Sequence, residues 1–199
     1  MNASIPDPRR RRLLLATAAV LPLAACDKAP ASFTGIDLTG ANYGREFSLK
    51  DADGQTRSLA EFKGKAVLIF FGFTQCPDVC PTSLARAAEI KRLLGADAER
   101  LQVIFITVDP ERDTPEVLKA YAAAFDAGVI GLYGDAAQTQ AAAREFKVYY
   151  AKVPTGSSYT MDHTALSYVI DPAGQLRLAL RHESSAQECA ADIRRLLST

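Results

Sequence analysis

Two short apolar runs with a helical stripe between them dominate the hydrophobic pattern of the chain. Ala66 to Phe71 and Leu101 to Val108 are continuous and rich in β-branched and aromatic residues, which predicts strands buried on both faces. Between them, Pro81 to Leu94 repeats apolar residues at helical spacing, and Gly95 follows as a stop signal. A strand, a helix and a strand at this spacing predict a βαβ unit with parallel strands.

Each of three further helices is predicted by a capping signal in its first turn. The signals, in chain order, are Thr114 before Pro115, Asp135 before Gln138, and Ser185 before Glu188. We expect the first of these helices to run to about Phe125 and the last to be amphipathic through Leu197.

Strand signals lie on both sides of the βαβ unit. Glu46 to Lys50 and Gln55 to Ser58 flank a turn and predict a hairpin ahead of it. Apolar runs downstream predict strands at Val148 to Val153, Ala165 to Ile170, and Leu176 to Leu180, the last two joined by a tight turn. This order, with a terminal hairpin and helix, is that of the thioredoxin-like fold. We therefore predict a three-layer α/β domain of that fold with an added N-terminal β-hairpin.

The N-terminus has the pattern of a bacterial export signal. Arg9 to Arg12 precede an apolar stretch from Leu13 to Ala25. As a helix this stretch is about 20 Å long, too short for a hydrocarbon core of ~30 Å. The ending Leu-Ala-Ala-Cys resembles a lipobox, which makes Cys26 the lipidated residue. Ordinary secretory cleavage before Cys26 is the alternative.

These features predict three segments: a signal peptide at 1–25, a tether at 26–32, and a domain at 33–199. Asp27 resembles the lipoprotein signal for retention at the inner membrane. We therefore expect a lipid-anchored protein of the bacterial cell envelope, at the periplasmic face of the inner membrane. The arginine run leaves both general secretion and twin-arginine export open.

Composition indicates a globular protein and removes one class of partner. Of 199 residues 48% are hydrophobic, and 23 basic side chains balance 23 acidic ones. No basic run follows the first dozen residues, so we expect no nucleic-acid partner, because such a partner requires a positive face. The domain is long enough to form a core without structural disulfides, so its cysteines are available for chemistry.

Cys76 and Cys80 follow the first buried strand, at the edge where open α/β sheets collect ligands. Proline is tolerated in the first helical turn, so we expect the helix to begin at Pro81, with Cys80 as its cap. The helix dipole would then favour a thiolate at Cys80. Two neighbouring thiolates form a metal clip or a redox pair. The three intervening residues, one more than in redox thioredoxins, favour metal without excluding a disulfide.

His163 is the candidate third ligand. It precedes the predicted strand at Ala165 to Ile170, and this fold would place it in a loop beside the cysteines. Two thiolates and one imidazole form a soft site that suits Cu(I) and can also hold Cu(II), whereas zinc ordinarily takes a fourth ligand. A histidine before a strand is also common as a surface or capping residue, which is the alternative for His163. For His182, between the last predicted strand and the last predicted helix, we expect only such an ordinary role.

Three separated motifs resemble the Sco/SenC family of copper-binding assembly proteins. They are Gly72 to Pro81, Val108 to Pro115, and the segment that runs from Tyr149-Tyr150 through Asp162-His163 to Asp171-Pro172. The resemblance covers nearly all of residues 33–197. It implies a membrane-tethered protein that binds one copper through Cys76, Cys80 and His163. Such proteins help to assemble the CuA centre of cytochrome c oxidase, by delivering copper, by reducing the target's cysteines, or both. The implied partners are the copper-bearing subunit of the oxidase and an upstream copper donor or thiol reductase.

Five residues near these motifs have roles that the sequence leaves open. Many family members have histidine where this chain has Gln75, so Gln75 is not expected to be a ligand. Asp78 would favour a cation nearby, and Asp109 either interacts with the copper loop or a partner or only opens its own loop. Both are candidates for a supporting role around the metal. Tyr149 and Tyr150 shape the pocket or pack, and we expect packing for one of them.

Three functional classes compete: a copper metallochaperone, a thiol-disulfide reductase that uses Cys76 and Cys80, and a thiol peroxidase. Peroxidase sites commonly have threonine three residues before the attacking cysteine and proline further back. Here Thr74 is two residues before Cys76, residues 66–75 contain no proline, and the chain lacks tryptophan, so this class is the weakest. Cys189 lies outside the motifs and is most simply a buried apolar residue.

Overall fold

A computed structural model describes residues 32–198 of the chain. The predicted signal peptide at 1–25, the lipidation of Cys26 and the tether up to residue 31 lie outside the described residues. None of the helices between residues 32 and 198 combines the length and apolarity that crossing a bilayer requires.

The described domain contains ten strands, four α-helices and two short 3₁₀ helices. The strands are β1 (Ile36–Asp37), β2 (Ser48–Asp51), β3 (Thr56–Ser58), β4 (Ala66–Gly72), β5 (Leu101–Thr107), β6 (Ile130–Tyr133), β7 (Tyr150–Thr155), β8 (Ser158–His163), β9 (Ser167–Ile170) and β10 (Leu176–Leu180). The helices are α1 (Val79–Leu94), α2 (Pro115–Ala123), α3 (Ala136–Glu145) and α4 (Ala186–Leu197). The 3₁₀ helices are Leu59–Phe62 and Gly95–Arg100.

Eight strands form one sheet in the order β1-β10-β9-β4-β5-β6-β2-β3. Its centre is the parallel set β4, β5 and β6, and every residue of β4 is buried, as the continuous apolar run predicts. On one side β9 pairs antiparallel with β4; on the other, the predicted hairpin β2–β3 joins through β6. β7 and β8 pair with each other as a separate two-stranded sheet.

Helices cover both faces of the sheet. Successive side chains of β4 point to opposite faces, so Gly72 and Phe71 show what packs on each. Gly72 faces Cys80 of α1, which packs against α4. Phe71 points the other way and meets Phe146 just after α3, with ring centroids 5.5 Å apart. The predicted three-layer, thioredoxin-like α/β fold with an added N-terminal hairpin is therefore confirmed.

The predicted helix starts after residue 100 are confirmed, because each depends on a local hydrogen bond. The side chains of Thr114, Asp135 and Ser185 accept hydrogen bonds from the backbone N–H groups of Val117, Gln138 and Glu188. The first of these helices ends at Ala123, two residues earlier than predicted.

Strand boundaries differ more from the predictions. The strand predicted at 148–153 is β7, which begins at Tyr150, because the N–H of Val148 instead bonds to the carbonyl of Ala143 at the end of α3. The strand predicted from Ala165 begins at Ser167. Strands β1, β6 and β8 were absent from the predicted set.

Candidate metal centre

The cysteine loop connects β4 to α1 at the carboxyl edge of the parallel strands. The prediction that the helix begins at Pro81 is wrong: α1 begins at Val79, with Asp78 at the N-cap position and Cys80 inside the first turn. Pro81 is tolerated there because the first helical N–H groups have no intrahelical partner. At the start of α1, the N–H of Thr82 donates a backbone hydrogen bond to the carbonyl oxygen of Asp78, at 3.2 Å.

The two thiols have different environments. Cys80 is fully buried, and burial raises the pKa of its thiol, so the prediction that the helix dipole favours a thiolate there is wrong. Cys76 is half-buried, and its Sγ accepts a hydrogen bond from the N–H of Cys80 at 3.4 Å. Both are free thiols. Gly72 permits this packing, because a Cβ there would lie 2.7 Å from the Cys80 Sγ.

His163 faces the cysteines from the end of β8. The predicted loop position is wrong, because His163 is the last residue of the β7–β8 hairpin, paired with Tyr150. Its Nε2 lies 3.4 Å from the Cys80 Sγ. Its Nδ1 lies 3.1 Å from the carbonyl oxygen of Thr164, which can only accept, so Nδ1 carries the proton and the Nε2 lone pair points to the cysteines.

Aromatic packing keeps this imidazole neutral. Phe70 and Phe73 each contact the His163 ring edge to face, with centroids 5.9 Å apart. Burial lowers the pKa of His163. A neutral imidazole with one nitrogen fixed by a backbone carbonyl is the usual form of a histidine metal ligand.

The ligand atoms of Cys76, Cys80 and His163 all lie within 4.8 Å of one another. Bonds of about 2.0–2.3 Å to one ion hold its ligands at most roughly 4.6 Å apart, so small side-chain adjustments would let the three atoms bind one ion together. Two sulfurs and one imidazole are a soft donor set, which fits copper. In residues 32–198 no fourth histidine, cysteine or carboxylate joins this group.

The remaining candidate residues lie outside the ligand group. The Nδ1 of His182 lies 3.5 Å from the hydroxyl of Ser83, which agrees with its predicted ordinary role. Cys189 is buried in α4, as predicted. Of the two tyrosines, Tyr150 packs on the core and Tyr149 is 61% exposed, so packing is confirmed for one of them.

The loop after β5 supports the cysteine loop through a carboxyl group that the sequence analysis missed. Asp113 is 1% exposed and accepts hydrogen bonds from the N–H of Thr74 at 3.1 Å and from its hydroxyl at 2.6 Å. The hydroxyl of Thr107 also donates to Asp113, at 2.5 Å. Burial raises the pKa of this carboxyl. Both residues lie in motifs that the sequence analysis singled out, Thr74 in the first and Asp113 in the second. Their hydrogen bond could be recognised only once the fold brought the two motifs together.

The structure separates the two predicted supporting carboxylates. Asp78 is exposed and its side chain makes no capping hydrogen bond. Asp109 is buried and accepts from the Tyr159 hydroxyl at 2.8 Å and from the guanidinium of Arg112. Arg112 donates in turn to Gln75 at 3.2 Å, so Asp109 is linked to the cysteine loop through Arg112.

Comparison with known proteins gives consistent matches over the whole domain. The SCO1/SenC family model matches residues 37–198. A SCO2-like protein of Rickettsia felis is 38% identical over 172 residues, which cover 85% of this chain and 84% of that protein. The copper-bound structure of ScoI from Bradyrhizobium japonicum is 45% identical with a TM-score of 0.70, covering 76% of this chain and 97% of ScoI. The apo Sco1 of Thermus thermophilus is 38% identical with a TM-score of 0.75, covering 84% and 99%.

The family match and the site refer to the same part of the chain. Residues 37–198 include the cysteine loop, the loop after β5 and the hairpin with His163. The family match covers well over half of the chain, and a relative with 38% identity covers 85% of it. The chain therefore belongs to the SCO1/SenC family.

Proposed function

We propose that this protein is a copper metallochaperone that holds one copper ion through Cys76, Cys80 and His163 and assists assembly of the CuA centre of cytochrome c oxidase. The observation that carries the proposal is the convergence of three soft-metal ligand atoms within 4.8 Å. Copper-bound structures of B. japonicum ScoI and yeast Sco1 support the choice of metal. A neighbour with 26% identity, BsSco, is described as a member of a family of cytochrome c oxidase assembly proteins, which supports the recipient.

Copper is the cargo here, and the site suits both its binding and its release. Two thiolates favour Cu(I), and the imidazole makes the site competent for Cu(II). Cys76 is half-buried while Cys80 is fully buried, so a partner's ligand approaches from the Cys76 side. Copper then leaves by ligand exchange, in which each new bond to the partner replaces one bond to this site. The proposed recipient is the copper-bearing subunit of the oxidase, and an upstream copper donor supplies the ion.

An anaerobic copper titration with a competing chelator tests the proposal. We expect the reduced protein to bind one equivalent tightly and His163→Ala to weaken binding at least about tenfold, because a ligand is lost. The chain has two histidines, so His182→Ala is a matched control and should bind like the wild type. Absence of binding by the wild type, or equal binding by the two variants, would refute the copper site.

Thiol-disulfide exchange is the second candidate function, favoured by two free thiols whose loop brings the Cys76 Sγ to the N–H of Cys80. In this reaction Cys76 and Cys80 lose two protons and two electrons and form a disulfide, while a partner's disulfide becomes two thiols. Loss of activity in Cys76→Ser and its retention in His163→Ala would support this reading. Failure to reduce an oxidised CuA-type cysteine pair would exclude it.

We also infer that residues 1–25 are an export signal and that Cys26 carries the lipid anchor at the periplasmic face of the inner membrane, with a tether at 26–32 before the domain at 33–199. The arginine run, the short apolar stretch and the lipobox-like ending support this inference. Cys26→Ser should move the protein from the membrane to the soluble fraction of the envelope. Continued membrane attachment of that variant would contradict the lipid anchor.

A further inference from the structure

We infer that Arg112 is a positioning residue that clamps the β7–β8 hairpin to the cysteine loop and so sets the distance between His163 and the two thiols. Asp109 and Tyr159 orient Arg112 for this role. The inference rests on the proposed copper-binding function, and it adds to that function a residue that is not itself a ligand.

The hairpin needs such a clamp because its two strands pair only with each other and not with the main sheet. β7 and β8 form a two-stranded sheet separate from the eight-stranded one. An isolated hairpin of this kind is marginally stable in water. Residues 152–155 of β7 are exposed, so this half of the hairpin has little burial to hold it. The position of His163 at the end of β8 therefore depends on side-chain contacts with the domain.

Arg112 makes two contacts with the hairpin, both at Tyr159. Its Nη1 donates to the Tyr159 carbonyl oxygen at 2.8 Å. Its guanidinium carbon lies 3.8 Å from the centroid of the Tyr159 ring, which is a close cation–π contact. One contact fixes the backbone of β8 and the other fixes the side chain, so rotation of the hairpin would disrupt both.

The same guanidinium also contacts the cysteine loop. Its Nη1 donates to the Oε1 of Gln75 at 3.2 Å, one residue before Cys76. The guanidinium carbon lies 5.8 Å from the ring centroid of Phe73, and that ring contacts the imidazole of His163. Arg112 therefore spans the gap between the segment that carries the thiols and the segment that carries the imidazole.

Asp109 fixes the orientation of Arg112. Its side chain is 1% exposed and pairs with the Nε of Arg112, whose side chain is 17% exposed. The hydroxyl of Tyr159 donates to the other carboxylate oxygen at 2.8 Å. The N–H of Asp109 bonds to the hydroxyl of Thr107 at 2.9 Å, which anchors the pair to the end of β5. A buried charge pair of this geometry leaves an uncompensated charge when either partner is removed.

An exposed ion pair between the same two segments provides a matched control. Lys152 of β7 lies 2.6 Å from Glu111, and these side chains are 46% and 67% exposed. Solvent screens such a pair, so it contributes little to the position of the hairpin. Glu111→Gln therefore removes the ion pair between the loop after β5 and the hairpin, while the contacts of Arg112 with Tyr159 remain.

Two measurements on the full-length protein test the clamp: hydrogen exchange of hairpin amides 150–163 in the apo protein, and copper affinity by chelator competition. We expect Arg112→Met to speed hairpin exchange and to weaken copper binding about 10- to 100-fold, the usual effect of losing a residue that orients a ligand. Arg112→Lys keeps the charge but not the planar fork, so it should resemble Arg112→Met. Glu111→Gln should stay within about twofold of the wild type.

Wild-type behaviour of Arg112→Met in both measurements, or full recovery in Arg112→Lys, would overturn the clamp. Should Arg112→Met fail to fold, Tyr159→Phe retains the stacked ring and removes only the bond to Asp109. It should weaken copper binding about three- to tenfold, and an unchanged affinity would count against the clamp. A wild type that binds no copper would refute the proposed function, whereas the exchange measurement would still decide whether Arg112 holds the hairpin.

Discussion

Gly72→Ala tests whether the site depends on the close approach of α1 to β4. The new Cβ would lie 2.7 Å from the Sγ of Cys80, 2.8 Å from Cε2 of Phe105 and 2.9 Å from Cε1 of Phe70. All three separations are shorter than van der Waals contact. Phe105 is fully buried and Phe70 is 3% exposed, so neither ring can move without displacing the packed core around it.

The structure gives an approximate size for two effects of this change. Overpacking of this kind costs about 1–3 kcal/mol. In a domain of this length each kcal/mol lowers the melting temperature by roughly 2–4 °C, so we expect a decrease of roughly 2–12 °C. The Cys80 Sγ is the nearest atom and must move by several tenths of an ångström. Because a metal site tolerates displacements of only about 0.5 Å, copper affinity should fall about tenfold or more.

Gly131→Ala is the matched control, measured by calorimetry and by anaerobic chelator competition. Its Cβ would lie 2.6 Å from the Cγ of Leu118, and its nearest neighbours all belong to that residue rather than to a ligand. We expect a similar decrease in melting temperature with unchanged copper affinity. Normal affinity in Gly72→Ala, or equal losses in the two variants, would refute the argument from close approach.

Three further predictions follow from buried polar and thiol groups. Burial raises the pKa of the Asp113 carboxyl above its ordinary value of 3.8. Between these two pKa values the folded state holds more protons than the unfolded state, so the free energy of unfolding decreases as pH rises through that range. Asp113→Asn should flatten this slope in urea titrations, and an unchanged slope would contradict it. Cys189→Ala should cost about 1 kcal/mol in urea unfolding and leave copper stoichiometry at one in the copper titration; a changed stoichiometry would contradict its packing role. The Asp192 carboxylate accepts hydrogen bonds from the N–H groups of Thr34 and Gly35 at 3.0 and 2.8 Å. Asp192→Ala should therefore lower the free energy of unfolding by about 3 kcal/mol and speed proteolysis near residue 34. An unchanged cleavage rate would argue against the role of Asp192 in holding that segment.

The parts of the fold that sequence predicts are those whose causes are local. Thr114, Asp135 and Ser185 cap their helices through backbone groups three residues away, so the signal and the structure lie in one segment. Strands β4 and β5 were equally visible, because burial on both faces produces an unbroken apolar run. The two cysteines were recognisable for the same reason: they follow the first of these runs directly.

The missed elements have causes outside their own segments. β6 is only four residues long and contains Gly131, which is there because Leu118 packs directly over it. β8 has a single buried residue, Met161, among exposed and half-buried ones, so its sequence shows neither an apolar run nor clean alternation. The hairpin partner of Arg112 is also remote in sequence, since Tyr159 lies 47 residues away. No spacing rule within one motif could identify that contact.

The pKa of Cys80 illustrates a competition that the sequence could not resolve. The helix N-terminus favours a thiolate by an amount that falls off within one turn. Complete burial opposes the thiolate, and its extent depends on Gly72, Phe105 and the rest of the core. Burial is the larger effect here and raises the pKa. The helix start alone therefore indicated where the thiol lies but not its protonation.

Cys80 and His163 are 83 residues apart in sequence, and the pairing of two strands brings them together in space. Phe70 of β4 pairs with Ser167 of β9, and the two strands run in opposite directions. The residues that precede Ser167 must therefore pass the residues that follow Phe70, which brings the end of β8 over the cysteine loop. A one-residue slip of this pairing would move the preceding chain by about 3.3 Å and turn every side chain of β9 to the other face. That displacement is close to the whole separation of Nε2 and Sγ, 3.4 Å, so the apolar residues that fix the β4–β9 register determine the candidate metal centre as directly as Cys80 and His163 do.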